Sequence, residues 1–356
     1  MSRKRKAKKT KITVVLVLLL FIVGAGIGVY KSLSSKDNKT EEKKKEEKPV
    51  IKEEIKKLQI VNEDSDSRNV AVMYNNISNV WGYQSGLQDA YIVYEIIVEG
   101  GYTRLMAIFK DAKTERIGSV RSSRPYYLDY VLENDANYVH YGGSTQAYSE
   151  IKSLKINNID GMSYAAGFWR DKTLKLASEH TAFTSMERIK KGLEKYKYRT
   201  TTTTDLLLNY SVDEIDISGM EGAIKADSVY INYSNSRSTT FEYDNINKVY
   251  LRSQGTAKTT YTHTDYVTKN QYTTKNIITY QVENYSLDSY GRQALKNIGG
   301  GSGYYITDGY AVPITWEKTT RSSQTVYRYL NGKEIVVNDG NTYIQIQPKN
   351  RTLTIK

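Results

Sequence analysis

The sequence predicts an α+β or mixed protein tethered to a membrane: an N-terminal transmembrane helix, an α/β domain with a mixed sheet, then a mostly antiparallel β domain. Three observations lead there. Residues 12–30 (ITVVLVLLLFIVGAGIGVY) carry no charge; from Asn69 to Tyr196 apolar strand-like runs alternate with amphipathic helices; and from about Ser228 short runs of alternating Tyr, Thr, Val and Ile are divided by turn residues. The 32 Tyr set against 4 Pro fit many strands with aromatic cross-strand pairs.

The 19 residues of 12–30 just cross a hydrocarbon core of about 30 Å at 1.5 Å per residue. The basic tail before them, residues 1–11, holds Arg3, Lys4, Arg5, Lys6, Lys8, Lys9 and Lys11, so it stays cytoplasmic and the bulk of the chain is extracytoplasmic. GAGIG also offers the small residues of a cleavage site, but the apolar run is longer than a signal peptide needs, and an uncleaved anchor is the expectation. Residues 31–66 open as a run of mixed charges that cannot bury an apolar face and serve as a stem. The tail accounts for seven of the twelve net positive charges, so the rest of the chain, at +5, gives no support to nucleic-acid binding. With no cysteine, disulfides, thiolate metal sites, thiol nucleophiles and lipid attachment at a lipobox are excluded.

The α/β domain is placed at 67–205. NVAVMYNN (Asn69 to Asn76) is a strand, and AYIVYEIIVEGGYTRLMAIF a hairpin turning at Gly100-Gly101. If Glu99 pairs with Tyr102, Arg104 lies diagonally between Glu95 and Glu99 on one sheet face. Two carboxylates around an arginine are either a structural ion cluster or an acid/base pair; the arginine argues against a metal there. IGSVRSSRPYYLDYV places Arg121, Ser122, Ser123 and Arg124 before Pro125, where a helix is expected to begin. Guanidinium forks at free helix amides make an anion site; the alternative is an ordinary cap whose arginines pair with Glu95 or Glu99. NYVHYGG then STQAYSEIKSL is a second strand-to-helix junction, with Ser144 as cap and His140 just before it. GFWRDKTLKLASEHTAFTS is expected to cover the site through Trp169, Arg170 and His180. Ser122, His140 or His180, and Asp171 spell a hydrolase triad, but no G-x-S-x-G elbow supports it.

The β-rich domain is placed at 206–356, with LNGKE and NDGNT as hairpin turns, IGGGSGYY as a flexible loop, and Trp316 in the core.

Several of these stretches together, QSGLQDAYIVYEIIVEGGYTR, IGSVRSSRPYYLDYVLENDANYVHYGGS, FWRD, VYLR, KNIITY and DGNTYIQIQP, resemble the YerB-like family of bacterial surface lipoproteins, from about Asn69 to Pro348. The resemblance implies two adjoining domains, one mixed α/β and one β-rich, of uncharacterised function. It also implies that Glu95, Glu99, Gly100, Gly101, Arg104, Arg121, Arg124, Pro125 and His140 are its recurring positions. The missing lipobox cysteine is where this chain departs from the family.

The expectation is therefore an envelope protein binding an anionic ligand, such as a wall polymer, a lipid pyrophosphate or an acidic protein segment, through Arg104, Arg121, Ser122, Ser123, Arg124, Ser144, Trp169 and Arg170. The rivals are a wall-precursor transferase or hydrolase, in the layout of the LytR-CpsA-Psr phosphotransferases, using Glu95, Glu99 or His140, and a scaffold that docks another surface protein. No metal and no nucleic acid is assigned, and the residues name no cofactor.

Overall fold

The computed structural model describes residues 56–356; the basic tail, the span expected at 12–30 and most of the stem lie outside them. Among the described residues no helix is long and apolar enough to cross a membrane.

Strands β1 (Val70–Asn75), β2 (Ile92–Ile97) and β3 (Thr103–Phe109) are near-continuous apolar runs, buried at every position. Such runs belong to strands covered on both faces. β2 and β3 form the expected antiparallel hairpin, and β1 pairs antiparallel with the other side of β3. After β4 (Ile117–Gly118) comes helix α1 (Tyr127–Glu133). Strand β5 (Asn137–His140) lies parallel to β1; helix α2 (Thr145–Ser153) then leads to β6 (Asn158–Asp160), parallel to β5. Ser144 caps α2 as expected, its Oγ accepting from the Ala147 N–H at 3.2 Å. β7 (Trp169–Arg170) and β8 (Ala182–Thr184) join β4 in a small antiparallel sheet, and α3 (Met186–Tyr196), capped by Ser185, follows.

The remainder is β: β9 (Asn209–Ser211), β10 (Ile224–Lys225), β11 (Ser228–Ser234), β12 (Arg237–Asp244), β13 (Val249–Gly255), β14 (Thr260–Thr262), β15 (Thr273–Thr274), β16 (Asn276–Val282), β17 (Asn284–Ser286), β18 (Gln293–Leu295), β19 (Gly299–Thr307), β20 (Tyr310–Lys318), β21 (Val326–Tyr329), β22 (Val336–Asn338), β23 (Thr342–Pro348) and β24 (Leu353–Ile355). An 11-stranded mixed sheet runs β10-β20-β19-β16-β23-β2-β3-β1-β5-β6, with β21 also on β20. A second, antiparallel sheet of six runs β14-β13-β12-β11-β24, with β15 on β13.

The chain from Ile55 onward is one compact unit, and strand pairing crosses the boundary expected near Asp205. β23, almost the last strand, inserts parallel between β2 and β16. That pairing departs from a mostly antiparallel second half. NDGNT is not a hairpin turn, because β22 before it pairs with β9 in a separate sheet. IGGGSGYY is not a loop: Gly299–Thr307 pairs with β20 along its whole length, its small residues letting Trp316 lie against the Gly301 backbone.

The large sheet is covered on both faces. Tyr94, Ile96, Met106 and Ile108 face a core completed by Tyr127, Leu128 and Val131 of α1. Val93, Leu105, Ala107 and Tyr343 face Val229, Ile231, Phe241 and Tyr250 of the six-stranded sheet. One buried position on that second face is charged: Glu95.

Because β23 is shared, the two halves have no separable cores. Calorimetry of the folded unit is expected to give one transition with matching van't Hoff and calorimetric enthalpies; two resolved transitions would show independent domains.

Candidate functional site

The hairpin holds the first departure from the expected site. Gly100 and Gly101 both have positive φ, 69° and 73°, and the Val98 N–H donates to the Tyr102 carbonyl at 2.7 Å. The turn is thus longer than two residues, and Ile97 pairs with Thr103 instead of Arg104. A one-residue shift sends every following side chain to the opposite face. Arg104 stands across from Ile96, away from Glu95, so the expected Glu95–Arg104–Glu99 cluster does not form.

Glu95 is instead enclosed between the two sheets with Arg237 of β12 and Arg252 of β13, all three fully buried. Its Oε1 accepts from Arg237 Nη2 at 3.1 Å, Thr103 Oγ1 at 2.7 Å and Asn76 Nδ2 at 3.2 Å. Its Oε2 accepts from Arg252 Nη2 at 2.7 Å and Thr239 Oγ1 at 2.9 Å. Burial alone pushes this carboxyl up, but Arg252 and Arg237 outweigh it and hold the pKa at about 2. Burial, with repulsion from Arg252, lowers Arg237 to about 10, where it is still charged at neutral pH. Arg252 also donates to His263 Nδ1, whose Nε2 then donates to Gln84 Oε1 at 2.5 Å. Burial and the two arginines push His263 well down, so it is neutral.

The RSSRP stretch forms a different site. Its backbone is extended between the ends of β1 and β5: Arg121 N–H donates to Met73 O at 3.0 Å and Ser123 N–H to Gly142 O at 2.9 Å. The helix expected at Pro125 begins two residues later and has no side-chain cap, so Ser122 and Ser123 are not cap residues. Ser123 is interior, its Oγ accepting from Tyr138 OH at 2.9 Å. The Ser122 carbonyl accepts from Arg104, which reaches this side of the sheet. Arg124 pairs with Glu99 at 2.5 Å and donates to the Ser123 carbonyl at 2.8 Å. Arg121 pairs with Glu179 at 3.2 Å. Arg104 is lowered to about 10, first by burial and then by Arg124, against the pull of Glu99. Burial raises the Glu99 carboxyl, and the Arg124 contact more than reverses this.

Arg104, on the Ser122 carbonyl, thus lies within the field of both Arg124 and Arg121. Arg170 is tied to the same turn as Glu179, donating to Ser178 O, with its guanidinium 4.2 Å from the Tyr141 ring centroid. Trp169 stands apart, stacked on Phe183 at 6.1 Å with Arg188 over it at 5.3 Å. Ser144 spends its hydroxyl on its own helix. His140 is buried, with Nδ1 at 2.8 Å from the Gly142 carbonyl and Nε2 at 3.1 Å from Asn158 Nδ2, and burial lowers its pKa. Glu95, Glu99 and His140 therefore occupy three separate environments. The residues that reading the sequence missed are Arg237 and Arg252. Their only signal is phase: Arg237, Thr239 and Phe241, like Tyr250, Arg252 and Gln254, alternate as one inward face.

Glu95→Gln leaves two buried guanidiniums underpaired and is expected to destabilise by about 3–5 kcal/mol in chemical denaturation. Arg121→Ala removes a partly exposed pair and is expected to cost about 1 kcal/mol or less. The pH profile follows from signs. Glu95 is held below its ordinary 4.5, so its contribution is complete above that value and lost as the pH falls to about 2. His140 and His263, lowered from 6.5, oppose protonation and weaken the fold in the same direction from about pH 6.5 downward. Urea unfolding at successive pH values should show both losses, and Glu95→Gln should show a smaller one between pH 4.5 and 2.

Residues 58–199 match the family described as "Protein of unknown function (DUF3048) N-terminal domain", and residues 229–344 match its C-terminal domain. A Bacillus subtilis (strain 168) protein named "Putative lipoprotein YerB" is 28% identical over 288 residues, spanning 80% of this chain and 82% of the relative. The crystal structure of YerB protein from Bacillus subtilis superposes with a TM-score of 0.69 at 27% identity, covering 81% of this chain and 94% of that one.

Proposed function

The chain belongs to the YerB-like family, and from that premise we propose that it is an extracytoplasmic envelope protein that binds an anionic ligand through Arg104, Arg121 and Arg124. One observation carries the reading: Arg104, held on the Ser122 carbonyl, lies within the field of both Arg121 and Arg124, and among the described residues only two carboxylates, Glu99 and Glu179, pair with these guanidiniums. Arg121 and Arg124 keep 25% and 17% of their side-chain surface exposed, enough to meet a ligand. Guanidinium forks favour phosphate and carboxylate oxygens, so a phosphate-bearing wall polymer or a lipid pyrophosphate fits the patch. Arg170 is bonded to the same Ser178–His180 turn that carries Glu179, the partner of Arg121.

Location follows from the relative's printed name, which calls it a lipoprotein. With no cysteine in this sequence to carry a lipid, the uncharged run 12–30 takes over anchoring in this reading. The reading is one of binding: Glu95, Glu99 and His140, the residues a transferase or hydrolase would use, lie in three separate environments.

The test is thermal shift of the purified protein with inorganic pyrophosphate, a glycerol-phosphate polymer and a neutral glycan as control. At a hundredfold excess over Kd a ligand adds about 2.7 kcal/mol of stability. The phosphate compounds are expected to raise the melting temperature less as salt increases, and to lose the effect in Arg121→Ala/Arg124→Ala. Equal shifts in parent and double variant would refute the assignment.

A further inference from the structure

We propose that the interior cluster of Glu95, Arg237 and Arg252 is a binding site for one small monovalent anion of halide size. Charge counting comes first. Two guanidiniums share one carboxylate, and among the described residues neither pairs with any other acid. His263 beside them accepts from Arg252 and donates to Gln84, which is the neutral form and brings no compensating charge. A surplus positive charge at zero exposure is among the costliest things a fold can bury.

The second observation is chemical. Arg237 Nη1, Arg252 Nε, Gln254 Nε2 and Gln345 Nε2 are buried without a partner. Gln254 is bound to both arginines through its Oε1, at 2.6 and 3.2 Å, and Gln345 lies beside Glu95 in the parallel β2–β23 pair. All four atoms donate. A water molecule both accepts and donates, and it would leave the charge uncancelled; an anion only accepts, and it answers both needs at once. Size follows from enclosure. Glu95, Arg237, Arg252, Gln254 and Gln345 have no exposed surface, so polymers and organic phosphates cannot reach them. The site is independent of the surface arginines, because Arg104 projects from the other face of β3.

The purified full chain, dialysed exhaustively into gluconate, is titrated with chloride at constant ionic strength. The melting temperature is expected to rise by about 2 °C per tenfold increase in chloride above half-saturation. Arg252→Gln should abolish that response. Since that variant can fail to fold, the parent protein crystallised in bromide supplies the second measurement, with an anomalous peak expected between the two guanidiniums. Identical melting of the parent in gluconate and chloride, or bromide crystals with no peak there, would overturn the proposal.

Discussion

A single carboxylate inside an otherwise apolar strand constrains how this molecule is assembled. Glu95 cannot be left bare between sheets, since an unpaired buried charge costs several kcal/mol. The chain answers with arginines 142 and 157 residues further on, carried by adjacent strands of the six-stranded sheet. An ion pair of this kind adds little net stability over a well-packed apolar one. It does penalise alternatives: any sliding of the six-stranded sheet across the large one separates Glu95 from Arg237 or Arg252. The inward polar row of Thr103, Thr239 and Gln254 completes that matching surface.

The same hairpin separates interior from surface. Thr103 and Arg104 are neighbours in sequence and point to opposite faces of β3. Thr103 joins the closed cluster, whereas Arg104 reaches the Ser122 carbonyl beside Arg121 and Arg124. The two groups of positive charge therefore have different fates. One is committed to holding sheets together; the other is supported by the β1 and β5 ends and keeps a partly solvated edge. The Tyr127 hydroxyl lies between the two strands, 3.0 and 2.7 Å from the carbonyl oxygens of Ile96 and Arg104.

Local patterns were readable where local physics decides. Strands β1, β2, β5, β11 and β16 and the Ser144 cap follow from alternation and capping chemistry. The hairpin register did not, because two glycines permit more than one turn length, and one residue of difference moved Arg104 out of the Glu95 site. Pro125 suggested a helix start, but the first residues there form a turn, leaving Ser123 to bond Tyr138. The insertion of β23 beside β2 was hidden for another reason: NTYIQIQ reads as a strand but carries no local mark of its partners. Arg237 and Arg252 were missed similarly, since nothing near RSTTF or VYLRS names a carboxylate in the other half of the chain.

The central claim is that the two halves form one cooperative structure around the Glu95 cluster. Native-state hydrogen exchange under increasing denaturant reads this strand by strand. The account predicts that amides of β2, β23 and β12 exchange only through global unfolding, with a shared free energy and a shared denaturant dependence. Exchange of β12 and β13 through a separate, lower-energy opening, with β2 still protected, would contradict it.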